Sequence, residues 1–423
     1  MTTVGDASAL ASPSRLAPLR ERDFRWVLFV QLASSIRQPM QFFAQGWFVN
    51  QAAPDDRRVV MLGLLATLQG TAYLSWVLFG SALSDRYPRR LTLMVTHAAG
   101  FAWLVGTSLL LRFPGAAEGE GLWLWIMMAV FIEFGVMMAQ DIPSRAAFAG
   151  EVVPEDVRTS AITMHWLVFA SALVVGAPLT GWMIERIGFA NLYLVAASMH
   201  LVVLCGLRMI RARGGAADPE ASADSVIDNV RAGLRYLGED AAMRWTVVLT
   251  ILALAMGILT MGILVAAWVS DVLLLDAQGW GRLALFWGLG GVLANLVLMM
   301  RGDYRGKGLI FLAGAGLLGL SVLGVSASRH VVPSAVGFAF AGVGAQVVMT
   351  VGNAIAQSIV PGRLLGRVMG LLWVAQGLAQ SAGLFVGLIG QAIGLTVLYP
   401  LVGLLMIAVT AVTFVRSPLR SLS

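Results

Sequence analysis

The chain has 423 residues, of which 58% are hydrophobic and only 12% are charged. A soluble protein of this length cannot bury so much apolar surface, so most of the chain must face lipid. The formal net charge of +6 does not indicate nucleic-acid binding, because the basic residues are spread over many loops. The composition therefore excludes a soluble protein and predicts a polytopic membrane protein.

Apolar runs of about 20 residues are long enough to cross a bilayer as helices, whereas membrane barrels show short segments of alternating polarity. This chain shows the long runs, so the predicted fold class is all-α, with about twelve transmembrane helices. The predicted spans are 24–48, 59–83, 90–112, 122–143, 159–185, 190–210, 243–270, 279–300, 308–328, 331–358, 366–392 and 394–416.

A long polar break separates the first six spans from the last six and predicts two six-helix bundles joined by a linker. The halves also resemble each other, since GWMIERIG, which ends at Gly188, recurs as GLIGQAIG, which ends at Gly394. Duplications of this kind are common among transporters. The predicted regions are a cytoplasmic N-terminal segment (1–23), the first bundle (24–210), a cytoplasmic linker (211–242), the second bundle (243–416) and a cytoplasmic tail (417–423).

The linker contains SVIDNVRAGLRYLGED, in which Ile227, Val230, Leu234 and Leu237 fall on one face of a helix. We expect an amphipathic helix there, either on the membrane surface or packed against protein.

Most of the 29 Lys and Arg residues lie in loops on the side of both termini, which predicts cytoplasmic termini. The N-terminal segment has no cleavable signal pattern, and the single cysteine, Cys205, permits no intrachain disulfide and suggests no metal or redox centre.

A basic loop, SALSDRYPRR at residues 81–90, lies between the second and third spans. It resembles the signature Gly-x-Leu-Ala-Asp-Arg-x-Gly-Arg-Arg of the major facilitator superfamily, with Ser81 and Pro88 at the two glycine positions. The stretches LRERDFRWVLFVQLASSI, DIPSRAAFAGEVVPEDVRTSAI, GAPLTGWMIERIG and IVPGRLLGRVMGL resemble the enterobactin-exporter-like branch of that superfamily, also called transmembrane secretion effectors. The positions that match the signature are Leu83, Asp85, Arg86, Arg89 and Arg90.

This resemblance implies two bundles that rock around a central cavity lined by the first, fourth, seventh and tenth spans. It implies a multi-pass protein of the inner (cytoplasmic) membrane, a monomer that exports small drug-like or siderophore-like molecules. The energy source would be the proton gradient, with antiport of protons and no cofactor. A proton-coupled uptake symporter is the alternative, and a non-transporting membrane sensor or scaffold is a further one.

The resemblance also implies a conformational latch at the cytoplasmic face, formed by Asp85, Arg86, Arg89 and Arg90, with Arg145 as the expected partner of Asp85. The alternative is that these arginines only fix the topology of the chain.

In the fifth span, three residues resemble the core of the antiporter motif, although Ala177 stands where that motif has glycine. The alternative is that these residues serve only close packing of helices. The three residues are Gly176, Pro178 and Gly181.

Two spans carry polar side chains at helical spacing, and such polar faces should point away from lipid. They are the first and the tenth spans, both of which the resemblance places around the cavity. We expect them to contact the substrate, whereas hydrogen bonding between helices is the alternative. The residues are Gln31, Ser34, Gln38, Gln41 and Gln45 in the first span, and Gln346, Thr350, Asn353 and Gln357 in the tenth.

Arg37 and Glu133 lie near the middle of the first and fourth spans, where an isolated charge is costly. We expect Glu133 either to pair with Arg37 or to bind a proton, which makes it the main candidate for proton coupling. A permanent ion pair that only orients the two helices is the alternative. His165 is a second coupling candidate, although a lone membrane histidine is more often a packing residue.

Many members of the family have Gly-Asp in the first span where this chain has Arg37 and Gln38, so their acidic site is replaced by a base and an amide. A fixed positive charge in the cavity would favour anionic or catecholate-like substrates. The sequence contains no phosphate-binding glycine loop, no metal-ligand cluster and no nucleophile elbow. No enzymatic activity is therefore expected, and the partners predicted are a small-molecule substrate and the lipid bilayer, not a nucleic acid.

Overall fold

The computed structural model describes residues 16–215, 226–257, 262–301 and 305–421, and at 78–86, 226–230 and 362–363 it describes the backbone alone. These residues form helices joined by short turns, which confirms the all-α prediction. The α-helices are α1 (Arg22–Ala52), α2 (Arg58–Arg86), α3 (Arg89–Leu110), α4 (Leu122–Val130), α5 (Glu133–Glu151), α6 (Arg158–Met209), α7 (Val226–Glu239), α8 (Ala241–Met256), α9 (Val265–Asp271), α10 (Ala277–Arg301), α11 (Lys307–Ala327), α12 (Val331–Ile359), α13 (Gly362–Ser381), α14 (Gly383–Ile393) and α15 (Leu395–Arg416).

Nine helical stretches in the described part of the chain are long and apolar enough to cross a membrane, which is consistent with about twelve spans. α1 is 31 residues long but is not among the nine, because its glutamines and Arg37 lower its mean hydropathy. The fifth and sixth predicted spans are joined in α6, and the seventh is represented by the shorter helices α8 and α9. α4 with α5, and α13 with α14, each form one interrupted span.

The two halves share one backbone feature that requires glycine. Gly188, between the fifth and sixth predicted spans, has φ 74° and ψ 170°, and Gly394, between the eleventh and twelfth, has φ 83° and ψ 147°. A side chain is strongly disfavoured at such a positive φ. The repeated octapeptides therefore end in the same sharp connection, which supports a structural duplication.

Large apolar side chains cover the outside of the helical assembly, as expected where helices face lipid. Trp125, Phe385 and Leu401 are each at least half exposed.

The amphipathic helix predicted in the linker is α7. Its Leu237 is buried against α8 and α13, whereas Leu234 is 57% exposed. The side chains of Ile227 and Val230 lie outside the described residues.

The two halves of the chain meet along one part of their length. We call the side of α1 Arg22 and α15 Arg416 the proximal side, and the side of the connections 53–57, 111–121, 272–276 and 328–330 the distal side. α2 packs on α13 and α14, and α6 packs on α10. We call these two contacts the distal seam, because in the described residues the hydrogen bonds that join the halves lie between the distal side and the middle of the helices.

Candidate functional site

The polar face predicted along the first span points into the protein. All six of its polar residues are less than 7% exposed, because the period of the helix places them on the side of α1 that contacts α5 and α6. The buried residues are Gln31, Ser34, Arg37, Gln38, Gln41 and Gln45.

Asp141 of α5 is the centre of a buried hydrogen-bond network. Its Oδ2 accepts a hydrogen bond from Ser34 Oγ at 2.8 Å and lies 3.6 Å from Arg37 Nη2. Its Oδ1 accepts from Arg145 Nε at 2.7 Å and lies 3.1 Å from His97 Nε2. One carboxylate therefore connects α1, α3 and α5, and all of these side chains are buried.

Two guanidinium groups and one carboxylate are thus removed from water at the same place. A buried charge is tolerated only when it is paired and hydrogen-bonded, because its desolvation costs several kcal/mol. Arg145 meets this requirement with Asp141 and with a further hydrogen bond to Gln31 Oε1, and Gln31 in turn donates to Ser35 Oγ at 2.9 Å. The network therefore depends on α1 and α5 remaining in register.

Glu133 is joined to this network through an amide. Gln41 Nε2 donates to Glu133 Oε2 at 3.0 Å, while Gln41 Oε1 accepts a hydrogen bond from Arg37. Gln41 thus lies between the two charges that the sequence suggested as a pair, and the carboxylate that pairs with Arg37 is Asp141. Glu133 Oε1 is shielded from solvent and has no hydrogen-bond partner among the described residues.

One helical turn beyond Gln41, a separate row of glutamines runs from α1 to the second half of the chain. Gln69 Nε2 of α2 donates to Gln45 Oε1 at 2.6 Å, and Gln380 Nε2 of α13 donates to Gln69 Oε1 at 3.3 Å. These three amides cross the distal seam, so a movement of one half relative to the other must break this row.

The polar residues predicted in the tenth span lie on α12 and are only partly buried. Gln346 Nε2 donates to Thr350 Oγ1 at 3.0 Å, and Thr350 Oγ1 donates to Asn295 Oδ1 of α10 at 3.0 Å. Asn353 donates to the Met349 carbonyl, and Gln357 is exposed near the proximal end. This polar face is not joined to the Asp141 network by any hydrogen bond between the described residues.

The loop residues predicted to form a latch have contacts within the first half. Arg89 pairs with Glu151, and Arg90 Nε donates to the Leu207 carbonyl at 2.9 Å. Arg145, the expected partner of Asp85, is buried and bound to Asp141 instead. The side chains of Asp85 and Arg86 lie outside the described residues.

The fifth-span residues that resemble the antiporter motif lie where helices approach most closely. A Cβ added to Gly176 would lie 2.5 Å from Pro39 Cγ of α1. A Cβ added to Gly181 would overlap the carbonyl oxygen of Ala277 in α10. From the other side of this contact, a Cβ added to Gly281 of α10 would lie 3.1 Å from Pro178 Cα. These residues therefore allow α6 to contact both α1 and the second half of the chain.

His165, the other coupling candidate, is buried on α6, and its Nδ1 has no partner among the described residues. The structure does not connect it to Glu133 by a hydrogen bond between described residues. No group of three His, Cys, Asp or Glu side chains in the described ranges could hold a metal ion.

Sequence reasoning missed Asp141, His97 and His200. Both histidines are fully buried and belong to the Asp141 network. The sequence does carry one signal, since Asp141 lies inside the fourth predicted span and four residues before Arg145, a spacing that brings two helical side chains together.

Comparison with known proteins supports the same architecture. The family model described as Major Facilitator Superfamily matches residues 47–384. No curated protein sequence matches the chain closely enough to count as a relative.

Solved structures resemble this chain over nearly its whole length. The inward-open xylose transporter XylE from E. coli has a TM-score of 0.70 and 13% identity, with 93% of this chain and 95% of that chain covered. A POT family transporter bound to a thioalcohol-conjugated peptide has a TM-score of 0.67, 13% identity and coverage of 92% and 95%. A bacterial homolog of the human lysosomal transporter Spinster, inward-facing and unoccupied, has a TM-score of 0.64, 13% identity and coverage of 95% and 96%. At this identity the likeness shows the fold alone.

Proposed function

The chain belongs to the major facilitator superfamily, and we propose that this transporter exports small amphipathic molecules, drug-like or siderophore-like, in exchange for protons. The observation that carries the proposal is Glu133, a carboxyl group at mid-membrane depth with one oxygen bound by the Gln41 amide and the other without a partner. A carboxylate in such a place is stabilised by binding a proton or a cation. Glu133 is therefore suited to load and release a proton in each transport cycle.

The surroundings of Glu133 suit an amphipathic substrate. Phe134 follows Glu133 in the sequence and Phe42 follows Gln41, and their rings are in contact, with centroids 5.9 Å apart. Arg37 Nε and Gln38 Nε2 are buried donors without a hydrogen-bond partner among the described residues. Aromatic surface next to free polar donors favours ligands that combine a ring with an acceptor or an anionic group, such as catecholates.

The distal seam supports transport by alternating access. It joins the halves between the distal side and the middle of the helices, so in this state we expect the substrate and the proton to reach the site from the proximal side. If the proximal side is cytoplasmic, as the distribution of arginines predicts, this state is open to the cytoplasm. Export then requires the seam to separate while the proximal ends approach each other.

Reconstituted liposomes with an imposed pH gradient test the proposal. We would measure the accumulation of ethidium, an aromatic cation, and of 2,3-dihydroxybenzoate, a catecholate anion. A gradient of one pH unit can drive about tenfold accumulation when one proton is exchanged for one monovalent cation such as ethidium, because this exchange moves no net charge. Antiport predicts accumulation when the lumen is acidic, whereas the alternative, uptake by proton symport, predicts it when the lumen is alkaline. Accumulation of neither probe under either gradient would contradict the proposal for these two substrate classes.

The role of Glu133 is tested by Glu133→Gln, which keeps the size of the side chain but cannot bind a proton. We expect gradient-driven accumulation of the transported probe to be lost, while probe exchange at equal pH persists. Glu118→Gln is the matched control, because Glu118 lies exposed in the connection 111–121. Gradient-driven accumulation at the wild-type level in Glu133→Gln would exclude Glu133 as the coupling residue.

A further inference from the structure

Two histidines behind Asp141 have no role in the mechanism described so far. His97 of α3 and His200 of α6 are fully buried, and their Nδ1 atoms lie 2.8 Å apart. Gly100 makes this possible, since a Cβ at that position would lie 2.5 Å from His200 Cε1. The imidazole of His200 therefore lies directly against the backbone of α3, with its Nε2 unpartnered among the described residues.

The hydrogen-bond geometry determines where the protons of the neutral pair are. Asp141 is bound by two guanidinium groups and is therefore a carboxylate, which can only accept, so His97 must donate from Nε2. His97 Nδ1 then carries no proton and accepts the Nδ1–H of His200. His200 Nε2 is left as a buried lone pair without a donor, which is a vacant proton-binding position.

We propose that His97 and His200 form a second proton-binding site of this transporter, connected in series through Asp141 and Arg37 to the Gln41–Glu133 contact. The proposal rests on the proposed proton-coupled function. A proton enters at His200 Nε2, and the Nδ1 proton of His200 moves to His97 Nδ1. His200 is again neutral, with its proton on Nε2, and His97 becomes an imidazolium beside Asp141. One proton has been taken up, and only N–H bonds have formed or broken.

The charged groups that face the pair decide what this proton does. Among the described residues they are Arg37 from α1 and Asp141 and Arg145 from α5. A cation on His97 competes with both arginines for Asp141. The contact of Arg37 with Asp141 is the longer one, 3.6 Å compared with 2.7 Å for Arg145, so Arg37 is the group that is released. Because Arg37 also donates to Gln41, its release alters the hydrogen bond that reaches Glu133.

Nuclear magnetic resonance can test the pair without any substrate. The chain contains only four histidines, so full-length protein in lipid nanodiscs with ¹⁵N-labelled imidazole rings gives few signals. His165→Gln and His330→Gln assign the other two rings. We expect one proton to bind as the pH is lowered, with His97 Nδ1 and His200 Nε2 shifting together, and we expect His97→Gln to change the titration of His200. If both rings keep their neutral state down to the lowest pH at which the protein stays folded, or if His200 titrates unchanged in His97→Gln, the proposal is wrong.

Transport tests whether the site is used. In liposomes, His200→Gln should reduce gradient-driven accumulation of the transported probe by about tenfold or more while leaving probe exchange at equal pH intact. His200→Asn serves as a second variant, and a monodisperse elution profile establishes folding of each protein. His330→Gln, which changes an exposed histidine in a distal connection, is the control. Wild-type accumulation in a folded His200 variant would overturn the proposal.

These outcomes separate the pair from the proposed function. If the wild-type protein accumulates neither probe under either gradient, the proposed function fails for those substrates, whereas the titration still decides whether the pair binds a proton. If the wild-type protein couples transport to protons and the His200 variants do so equally well, the proposed function stands and the second site does not.

Discussion

At the scale of single residues, Asp141 has the greatest number of polar contacts in the buried network. Ser34, Arg37, His97 and Arg145 all reach its carboxylate. Removing one member of a buried ion pair is far more damaging than replacing both, because the remaining charge stays desolvated. The loss of this one charge would leave two arginines without their common counter-ion.

Asp141→Asn should therefore destabilise the protein by about 3–5 kcal/mol. We expect a large decrease in the melting temperature of the purified protein in detergent, measured by the loss of monodisperse material after heating. Asp56→Asn removes the same charge from an exposed pair with Arg57 and should change stability by less than about 1 kcal/mol. Equal melting temperatures for the two variants would show that Asp141 is not the counter-ion of a buried charge cluster.

The sequence predicted only part of this site. The polar face of α1 was visible because a helix repeats every 3.6 residues and glutamines are rare in lipid-facing positions. The partners of that face were not visible, since contacts between α1, α3 and α5 depend on how these helices pack. Thus the sequence predicts that Glu133 either pairs with Arg37 or binds a proton, whereas the packed structure pairs Arg37 with Asp141 and places Gln41 between Arg37 and Glu133.

At the scale of helices, the distal seam depends on glycines that let backbones touch. In α2, a Cβ on Gly63 would overlap the Gly383 carbonyl and lie 3.0 Å from Gly387 Cα of α14. Close contact of this kind gives extensive van der Waals packing where there is no hydrophobic driving force. Thr67 adds polar contacts, since its Oγ1 donates to the Ser381 carbonyl at 2.9 Å and accepts from Leu384 N at 2.7 Å.

Gly63→Ala should separate α2 from α14 and favour the state in which the distal side is open. Spin labels at Arg57→Cys and Val332→Cys, in a Cys205→Ser background, report the distance across that side by pulsed electron paramagnetic resonance. We expect the distance distribution to shift to longer values by several ångströms. Gly106→Ala is the control, because no atom lies within 4 Å of a Cβ added there. An unchanged distribution in Gly63→Ala would exclude a steric role for this glycine in the seam.

The helices themselves were largely predictable, whereas their interruptions were not. The bounds of α3, α10, α11, α12 and α15 differ from the predicted spans by no more than a few residues. The break between α13 and α14 lies inside an apolar run where no proline or charge indicates an end, and the break between α4 and α5 is marked only by Glu133, the first residue of α5. Hydropathy cannot detect such breaks, because neighbouring helices satisfy the freed backbone groups.

At the scale of the whole molecule, the polar network and the contact between the halves are in different places. The Asp141 network lies within the first half, and the residues that join the halves lie distal to it. Asn50 Nδ2 donates to Ser270 Oγ at 3.2 Å, Arg58 pairs with Asp271 at 2.5 Å, and Val59 N donates to Gln391 Oε1 at 3.1 Å. Protonation inside one half can thus change transport only if it alters the relative movement of both halves.

Linking the halves on the distal side tests this separation. Asn50→Cys with Ser270→Cys, in the Cys205→Ser background, places two thiols where a hydrogen bond now joins α1 and α9. Joining them with a short, reducible bifunctional thiol reagent should abolish gradient-driven accumulation of the transported probe, because the distal side can no longer open. Treatment with dithiothreitol should restore it, and each single cysteine variant should remain active after the same reagent. Full transport by the cross-linked protein would mean that the distal seam does not separate during the cycle.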